Sequence, residues 1–206
     1  MRRAALPTLC AAALLAAGCL SPQPAPRVVF YALRAERAAP AQEPPVAEAL
    51  RVERVRVAPL FERKGFVYRT GERAFEGDFY HRFAAPPGVL VREALADWLE
   101  QSGLFAEVLR DGDPQRARWW LEGRVTALYA DLRDPAAPQA VLEAELALVD
   151  ASSPTLETRL RRRYRAEIPT SADPAALAEA WTRGLAQILA ELEGDLRAAL
   201  PAEAAD

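Results

Sequence analysis

Two stretches of the chain place apolar residues at the spacing of one helix face, which predicts two amphipathic helices. The first opens with Pro86-Pro87-Gly88 and is closed by Gly103, and the second runs from the capping residue Asp173 to Leu200. The apolar side of the first is Val91, Ala94, Leu95, Trp98 and Leu99. The apolar side of the second is Leu177, Trp181, Leu185, Ile188, Leu192 and Leu196. Because each helix is apolar on one side, its tryptophan is expected to lie in the core.

Between these helices, apolar and polar residues alternate along three stretches, which predicts three strands. The inward-facing set of the first is Leu121, Gly123, Val125, Ala127 and Tyr129. The set of the second is Leu142, Ala144, Leu146 and Leu148, and that of the third is Leu156, Leu160, Tyr164, Ala166 and Ile168. Loops at residues 134–135 and 152–154 would connect them as an antiparallel meander with one face toward solvent.

Shorter strands are predicted over residues 28–33, 50–57, 65–70 and 74–83, with a mobile Ala-, Pro- and Glu-rich connection over 35–48. Two one-sided helices and a one-sided sheet bury their apolar faces most simply against each other. We therefore predict an α+β fold, a two-layer sandwich in which both helices pack on one face of a mostly antiparallel β-sheet.

The N-terminal segment has the pattern of a secretory signal peptide. Arg2 and Arg3 precede a short apolar stretch, and small residues precede Cys19. Because residues 15–19 resemble the lipobox of bacterial lipoproteins, we expect residues 1–18 to be cleaved and Cys19 to carry a covalent lipid. Leu20 rather than Asp follows the cysteine, which resembles the outer-membrane sorting pattern of Gram-negative bacteria. The alternative is an ordinary signal peptide whose cleavage site falls near a cysteine.

Residues 19–27 are expected to form a Pro-rich tether, which at about 3.1 Å per residue lifts the domain about 20–25 Å from the membrane. Residues 28–200 are predicted to form a single domain, and residues 201–206 a disordered tail. No later stretch approaches the roughly 18 apolar residues of a transmembrane helix. The lipid is therefore expected to anchor an outer-membrane lipoprotein that faces the periplasm.

The charge and the cysteines of the chain limit its partners and its covalent chemistry. The formal net charge is −3, and cleavage removes Arg2 and Arg3, which leaves −5 on the mature chain. An acidic domain argues against nucleic acid or an anionic membrane face as the main partner. Cys10 leaves with the signal peptide and Cys19 carries lipid, so no disulfide is expected. The sequence does not indicate an oligomeric state.

The third strand of the meander has arginines at alternate positions, namely Arg159, Arg161, Arg163 and Arg165. Antiparallel pairing places Glu143 and Glu145 opposite arginines of this strand, so one interpretation is a solvated face of ion pairs. The alternative is a docking surface for an acidic partner or for phospholipid headgroups. Trp119 and Trp120 cannot both face inward, so one of them is a second candidate contact. The possible docking surface is Arg159, Arg161, Arg163, Trp119 and Trp120.

Candidate catalytic and metal-binding residues are few. His81 is the single histidine, and only carboxylates could accompany it at a metal site. Glu76 and Asp78 flank Gly77 as a carboxylate pair, and general acid–base catalysis is their functional interpretation. The serines lack the context of a nucleophile elbow, and the P-loop and dinucleotide glycine patterns are missing. We therefore predict no enzyme, no metal site and no cofactor apart from the covalent lipid.

Several short motifs follow one another through the chain. They are Tyr31-Ala32-Leu33, Val55-Arg56-Val57-Ala58-Pro59, Val67-Tyr68-Arg69, Tyr80-His81-Arg82-Phe83-Ala84-Ala85-Pro86-Pro87 and Ser102-Gly103-Leu104-Phe105. In kind and placement, those within residues 67–108 resemble the central signature of the ABC-type transport auxiliary lipoproteins of the PqiC type. Phe83 stands where this family usually has Trp, so an aromatic residue is kept at that position.

The resemblance implies a periplasm-facing lipoprotein that works with an ABC permease, its ATPase and an MCE-domain substrate-binding protein. Systems of this kind move phospholipids or other hydrophobic molecules between the two membranes, and the lipoprotein would be their membrane-tethered docking element. Two alternatives differ from it. A lipid-carrier or envelope-assembly lipoprotein would have an apolar cavity between the helices and the sheet, whereas a periplasmic hydrolase would depend on His81, Glu76 or Asp78.

Overall fold

The structure is a computed structural model that describes residues 27–41, 44–152 and 155–201. The predicted signal peptide, Cys19 and residues 202–206 of the predicted tail lie outside these residues. The described strands are β1 (Val29–Tyr31), β2 (Leu50–Val52), β3 (Arg56–Val57), β4 (Gly65–Arg69), β5 (Phe75–Phe83), β6 (Val108–Leu109), β7 (Trp119–Asp131), β8 (Gln139–Asp150) and β9 (Glu157–Pro169). The described α-helices are α1 (Pro87–Ser102) and α2 (Pro174–Ala199).

Strand β7 is the centre of one mixed sheet. On one side it pairs with β8, which pairs with β9, and both pairings are antiparallel, as the alternating pattern predicts. On its other side, β2, β3 and β4 pair with successive parts of β7, all in parallel. Strand β5 is antiparallel to β4, β1 is parallel to β5, and β6 is parallel to β2. The predicted α+β fold is confirmed, with short strands that add parallel pairings to the antiparallel meander.

Both helices pack on one face of the sheet, which we call the inner face. Gly103 closes α1 in the left-handed conformation with φ of 66°. The Asp173 side chain accepts a backbone N–H of the first turn of α2 at 3.0 Å. The predicted apolar sides are buried, and Leu95 of α1 and Ile188 of α2 meet Leu142 of β8 in the core between the two layers.

A β-bulge in β7 moves part of its predicted inward face to the other side of the sheet. The register shifts just before Ala127, which lies opposite the outward-facing Glu143. Tyr129 also faces outward and packs against Phe61 and Phe75, with ring-centroid distances of 5.9 and 5.7 Å. The prediction that Ala127 and Tyr129 share the face of the earlier residues is wrong, because one extra residue reverses the alternation.

Strand β9 begins one residue later than the alternating pattern predicts. Leu156 precedes it with φ of 44° and is 48% exposed, so the prediction that this side chain faces inward is wrong. From Leu160 onward the alternation holds, because Tyr164 and Ala166 are buried. The predicted arginines therefore lie on the outer face of β9, opposite the helices.

Residues 35–41 and 44–48, which we call the strap, are irregular but packed against the domain. Nε and Nη2 of Arg37 donate to the two carboxylate oxygens of Glu193 at 2.8 and 2.9 Å, and both side chains are buried. Farther along, the backbone N–H of Ala47 donates to the carbonyl of Leu104 at 3.1 Å. The described part of the predicted mobile connection is thus fixed to α2 and to the end of α1.

Candidate docking surfaces

The two adjacent tryptophans of the predicted docking surface lie on opposite faces of β7. Trp119 faces inward and is fully buried, with its Nε1 donating to Glu48 at 3.3 Å. Trp120 faces outward and is half-buried. Trp119 therefore offers no side-chain surface to a partner, because it lies on the inward side of β7 before the bulge. Trp120 keeps an accessible part of its ring on the outer face.

Two of the three predicted docking arginines, Arg159 and Arg163, form ion pairs with carboxylates of the domain. Arg163 lies opposite Glu145 and forms an ion pair with it, and Arg165 pairs with Glu143 at 3.0 Å. Arg159 has carboxylates at 3.2 and 3.6 Å. The predicted cross-strand pairing of these charges is confirmed. Most of the positive charge of β9 is therefore neutralised inside the domain.

Three arginines on the outer side of β3, β7 and β9 have no carboxylate within ion-pair distance among the described residues. Arg124 of β7 lies between Arg56 of β3 and Glu145 of β8 in the strand registers. Glu145 forms its ion pair with Arg163 rather than with Arg124, and on the opposite side of β7 Arg124 faces the like charge of Arg56. Directly opposed like charges destabilise a sheet. We call Arg56, Arg124 and Arg161 the outer-face arginines.

The hairpin of β4 and β5 contains a bulge that turns two aromatic side chains toward solvent. Residues 78–81 of β5 lie opposite the single residue Phe66 of β4. Gly65 permits this close approach, because a Cβ at that position would overlap a backbone carbonyl of the bulge. Phe79 and Tyr80, at the tip, are exposed and contact each other edge to face at 5.3 Å.

The carboxylate of Asp78 holds this bulge by four hydrogen bonds. It accepts the Tyr68 hydroxyl at 2.7 Å, the backbone N–H groups of Tyr80 and His81 at 2.7 and 3.0 Å, and bonds Nδ1 of His81 at 2.7 Å. Burial opposes ionisation, but the hydrogen bonds from Tyr68 and His81 prevail and lower the pKa of Asp78 to about 2. Asp78 and His81 thus belong to a structural network, and Glu76 is exposed outside it.

Replacing Asp78 by Asn is expected to destabilise the fold by about 1–3 kcal/mol at pH 7, because several hydrogen bonds lose a charged acceptor. The pKa of Asp78 is lower in the folded than in the unfolded chain, so this stability is present above about pH 4 and is lost as the pH falls through about 2. Denaturant unfolding at pH 7 and at about pH 3 measures both effects. Glu76→Gln is the matched control, and equal losses for the two variants would contradict the role of Asp78.

Four exposed side chains lie together on the outer side of the β1, β5 and β4 part of the sheet. Phe79, Leu60 and Arg82 line one open groove of about 320 Å³. Phe30 lies opposite Arg82 in the register of β1 and β5, so the two share a face. Tyr80 joins the group through its contact with Phe79. We call Phe30, Leu60, Phe79 and Tyr80 the aromatic edge.

The space between the two helices and β8 is almost completely filled. Apolar side chains of α1, α2 and β8 enclose a cavity of about 10 Å³, which is about the room that one water molecule needs. An acyl chain does not fit there. The enclosed cavity between α1, α2 and β8 is therefore too small for the acyl chain that the lipid-carrier alternative requires.

Residues 27–41, 44–152 and 155–201 contain neither a metal-binding group of side chains nor a membrane-spanning helix. No three side chains among His, Cys, Asp and Glu come together in a group that could hold a metal ion. Neither α1 nor α2 is long and apolar enough to cross a membrane.

Comparison with known proteins identifies relatives of the chain. The family model described as ABC-type transport auxiliary lipoprotein component matches residues 31–193. No curated protein matches. Protein XCC0632 from Xanthomonas campestris, of the family DUF330, has a similar crystal structure with 22% identity and a TM-score of 0.72, covering 83% of this chain and 96% of that chain. The hypothetical protein CT253 from Chlamydia trachomatis is 12% identical, with a TM-score of 0.52 and coverage of 74% and 99%.

The family match and the solved structures support different conclusions. At these identities, the solved structures show a shared fold. The family match spans the sheet from Tyr31 onward and both helices as far as Glu193, and it includes the motifs from which the resemblance was inferred. The resemblance is thereby confirmed, and this chain belongs to the ABC-type transport auxiliary lipoprotein family.

Proposed function

We propose that this chain is a lipid-anchored periplasmic docking component of an MCE-type ABC transport system for lipids or other hydrophobic molecules. The family match over residues 31–193 carries the proposal, because the family consists of auxiliary lipoproteins of ABC transporters. Its working partners would be an MCE-domain protein, the ABC permease and the ATPase. Residues 15–19 would supply the anchor at Cys19, and Leu20 favours the outer membrane. The role is binding rather than catalysis, and it needs no cofactor beyond the covalent lipid.

The outer-face arginines suit this docking role best. In the free domain Arg56 and Arg124 repel each other across the β3–β7 pair. A carboxylate-rich segment of the partner would remove that repulsion and form charge-assisted hydrogen bonds with both. Arg161 extends the positive surface toward β9, and the half-buried ring of Trp120 adds apolar area on the same face. We therefore propose that an acidic surface of the MCE-domain protein binds here.

The test is to isolate the acylated protein in mild detergent from its native membranes and to identify the co-isolated proteins by mass spectrometry. We expect an MCE-domain protein with its permease and ATPase. Arg124→Glu should reduce their recovery about tenfold or more, because losing an interfacial charge pair costs at least about 1.4 kcal/mol. The variant places an acid between Arg56 and Glu145, so it gains one favourable neighbour and one unfavourable neighbour at an exposed position, and the fold should be kept.

Two controls separate anchoring from docking. Cys19→Ala should release the protein from the membrane, whereas Arg183→Glu makes the same charge change on the exposed side of α2 and should leave recovery unchanged. If no MCE-domain protein accompanies the wild type, the proposed transport system is wrong. If the Arg124→Glu variant co-isolates as much MCE-domain protein as the Arg183→Glu variant does, the docking surface lies elsewhere.

A further inference from the structure

We propose that the aromatic edge rests on the surface of the membrane that holds the lipid anchor. The proposal rests on the anchor at Cys19 put forward above, and it adds a second, non-covalent contact with lipid. Of the side chains that carry it, Phe79 is 69% exposed, Phe30 58%, Leu60 50% and Tyr80 39%. Apolar side chains exposed together on one surface mark an interaction site.

The fold holds Phe79 in solvent rather than leaving it on a loose tip. The bulge that carries it is fixed by the four hydrogen bonds of Asp78 and by the close approach of its backbone to Gly65. Only four residues later the same strand returns to the core, where Phe83 packs against Phe66 at a centroid distance of 4.8 Å. A local bulge therefore redirects one ring outward from a strand that is otherwise well packed.

The tether brings this edge close to the membrane. Arg27 is the first described residue and nearly adjoins β1, so the chain leaves the domain beside Phe30. Arg27 is eight residue steps from Cys19, which extend about 25 Å at about 3.1 Å each, whereas a domain of this length is about 40 Å across. Strand β9 lies at the other edge of the sheet. A tether shorter than the domain therefore keeps the aromatic edge, and not β9, next to the lipid.

The charges around the aromatic edge suit lipid headgroups. Arg63 and Arg82 line its groove, and Lys64 lies 6.0 Å from the ring centroid of Phe30; none of these cations has a carboxylate within ion-pair distance among the described residues. Glu76 lines the same groove, whereas the carboxylate of Asp78 is occupied by its hydrogen bonds. The net charge of −5 opposes long-range attraction to an anionic surface. Apolar contact therefore dominates, and the cations add to it locally.

The test measures whether the ring of residue 79 reaches lipid in the anchored protein. Cys19 is the only cysteine of the mature chain and is acylated, so Phe79→Cys provides a single site for an environment-sensitive fluorophore. Leu156→Cys, at an exposed position just before β9, is the matched control. Each labelled lipoprotein is reconstituted into vesicles of phosphatidylethanolamine and phosphatidylglycerol, with and without nitroxide-labelled lipid. We expect nitroxide lipid to quench the label at position 79 about twofold or more, because interfacial apolar groups lie about 5–10 Å into the headgroup boundary.

Each outcome bears on a different part of the proposal. Quenching at position 79 and not at position 156 supports the membrane contact. Flotation of both proteins with the vesicles but no quenching at position 79 overturns the contact and leaves the anchor intact. A blue shift at position 79 without quenching shows that protein covers the edge, which also overturns it. If neither protein floats, the anchor at Cys19 fails, and this inference fails with it.

Discussion

Replacing Glu193 by Ala is expected to destabilise the domain by about 3–5 kcal/mol, the cost of leaving a buried charge without its partner. Glu193 accepts two hydrogen bonds from Arg37 and one from Nε1 of Trp98 at 2.9 Å. The side chain of Arg37 is only 4% exposed, so water cannot replace the missing carboxylate. Thermal unfolding should show a Tm lower by roughly 6–20 °C for a domain of this size.

Two variants separate the effect of losing the buried Arg37–Glu193 ion pair from the effect of removing any carboxylate from α2. Glu191→Ala removes an exposed carboxylate of the same helix and should change stability by less than about 0.5 kcal/mol. Combining Arg37→Met with Glu193→Met replaces the pair by apolar side chains and should cost less than Glu193→Ala alone. If Glu193→Ala and Glu191→Ala unfold at the same temperature, the ion pair does not hold the strap.

The stabilising effect of this pair depends on pH in a defined direction. The hydrogen bonds from Arg37 outweigh burial and lower the pKa of Glu193 below its ordinary value. Because the pKa is lower in the folded than in the unfolded chain, the contribution is present above about pH 4.3 and is lost as the pH falls through the folded value. The stability difference between the wild type and Glu193→Gln should therefore narrow on acidification.

Replacing Trp181 by Ala is expected to cost about 3–5 kcal/mol, because it opens a large cavity in the core. Trp181 is 1% exposed, and its ring lies 4.8 Å from that of Phe66 and 5.5 Å from that of Phe83. Its Nε1 donates to the carbonyl of Tyr129 at 3.3 Å. One side chain thus joins α2 to β4, β5 and β7, and denaturant unfolding should show a clearly lower midpoint at an unchanged m-value.

Trp120→Ala is the matched control for this truncation. It removes the same atoms from a half-buried position, where Nε1 has no hydrogen-bond partner among the described residues. The loss of stability should therefore be smaller than for Trp181→Ala. Equal losses would contradict this prediction, because Trp181 buries more of its ring than Trp120 and also packs in the aromatic cluster.

The two helices and the three long strands could be predicted because the spacing of their apolar residues shows which side of each element is buried. The apolar sides of α1 and α2 follow from helical spacing, and the inner residues of β8 follow from alternation. The pairing of Glu145 with Arg163 follows from the same alternation, because antiparallel strands with a common inner face bring their outer residues together. The arginines of β9 could therefore be placed on the correct face from the sequence.

The short strands could not be placed in the same way, because two or three residues carry no period. Strand β3 consists of Arg56 and Val57, and its parallel pairing with β7 depends on the path of the chain. The position of Arg56 opposite Arg124 could therefore not be predicted from the sequence, although both residues are charged. The bulge at residues 78–81 could not be predicted either, because the hydrogen bonds of Asp78 create it and no apolar pattern marks it.

The last helix of the domain completes contacts that begin near its first strand. Glu193 and Arg37 are 156 residues apart in the chain, and Trp181 closes an aromatic cluster that contains Phe66 and Phe83. A chain is synthesised from its N-terminus, so Cys19 emerges long before either contact can form. The domain therefore closes only after Glu193 has been synthesised, and an anchor attached at Cys19 before then would be attached to a chain that has yet to fold.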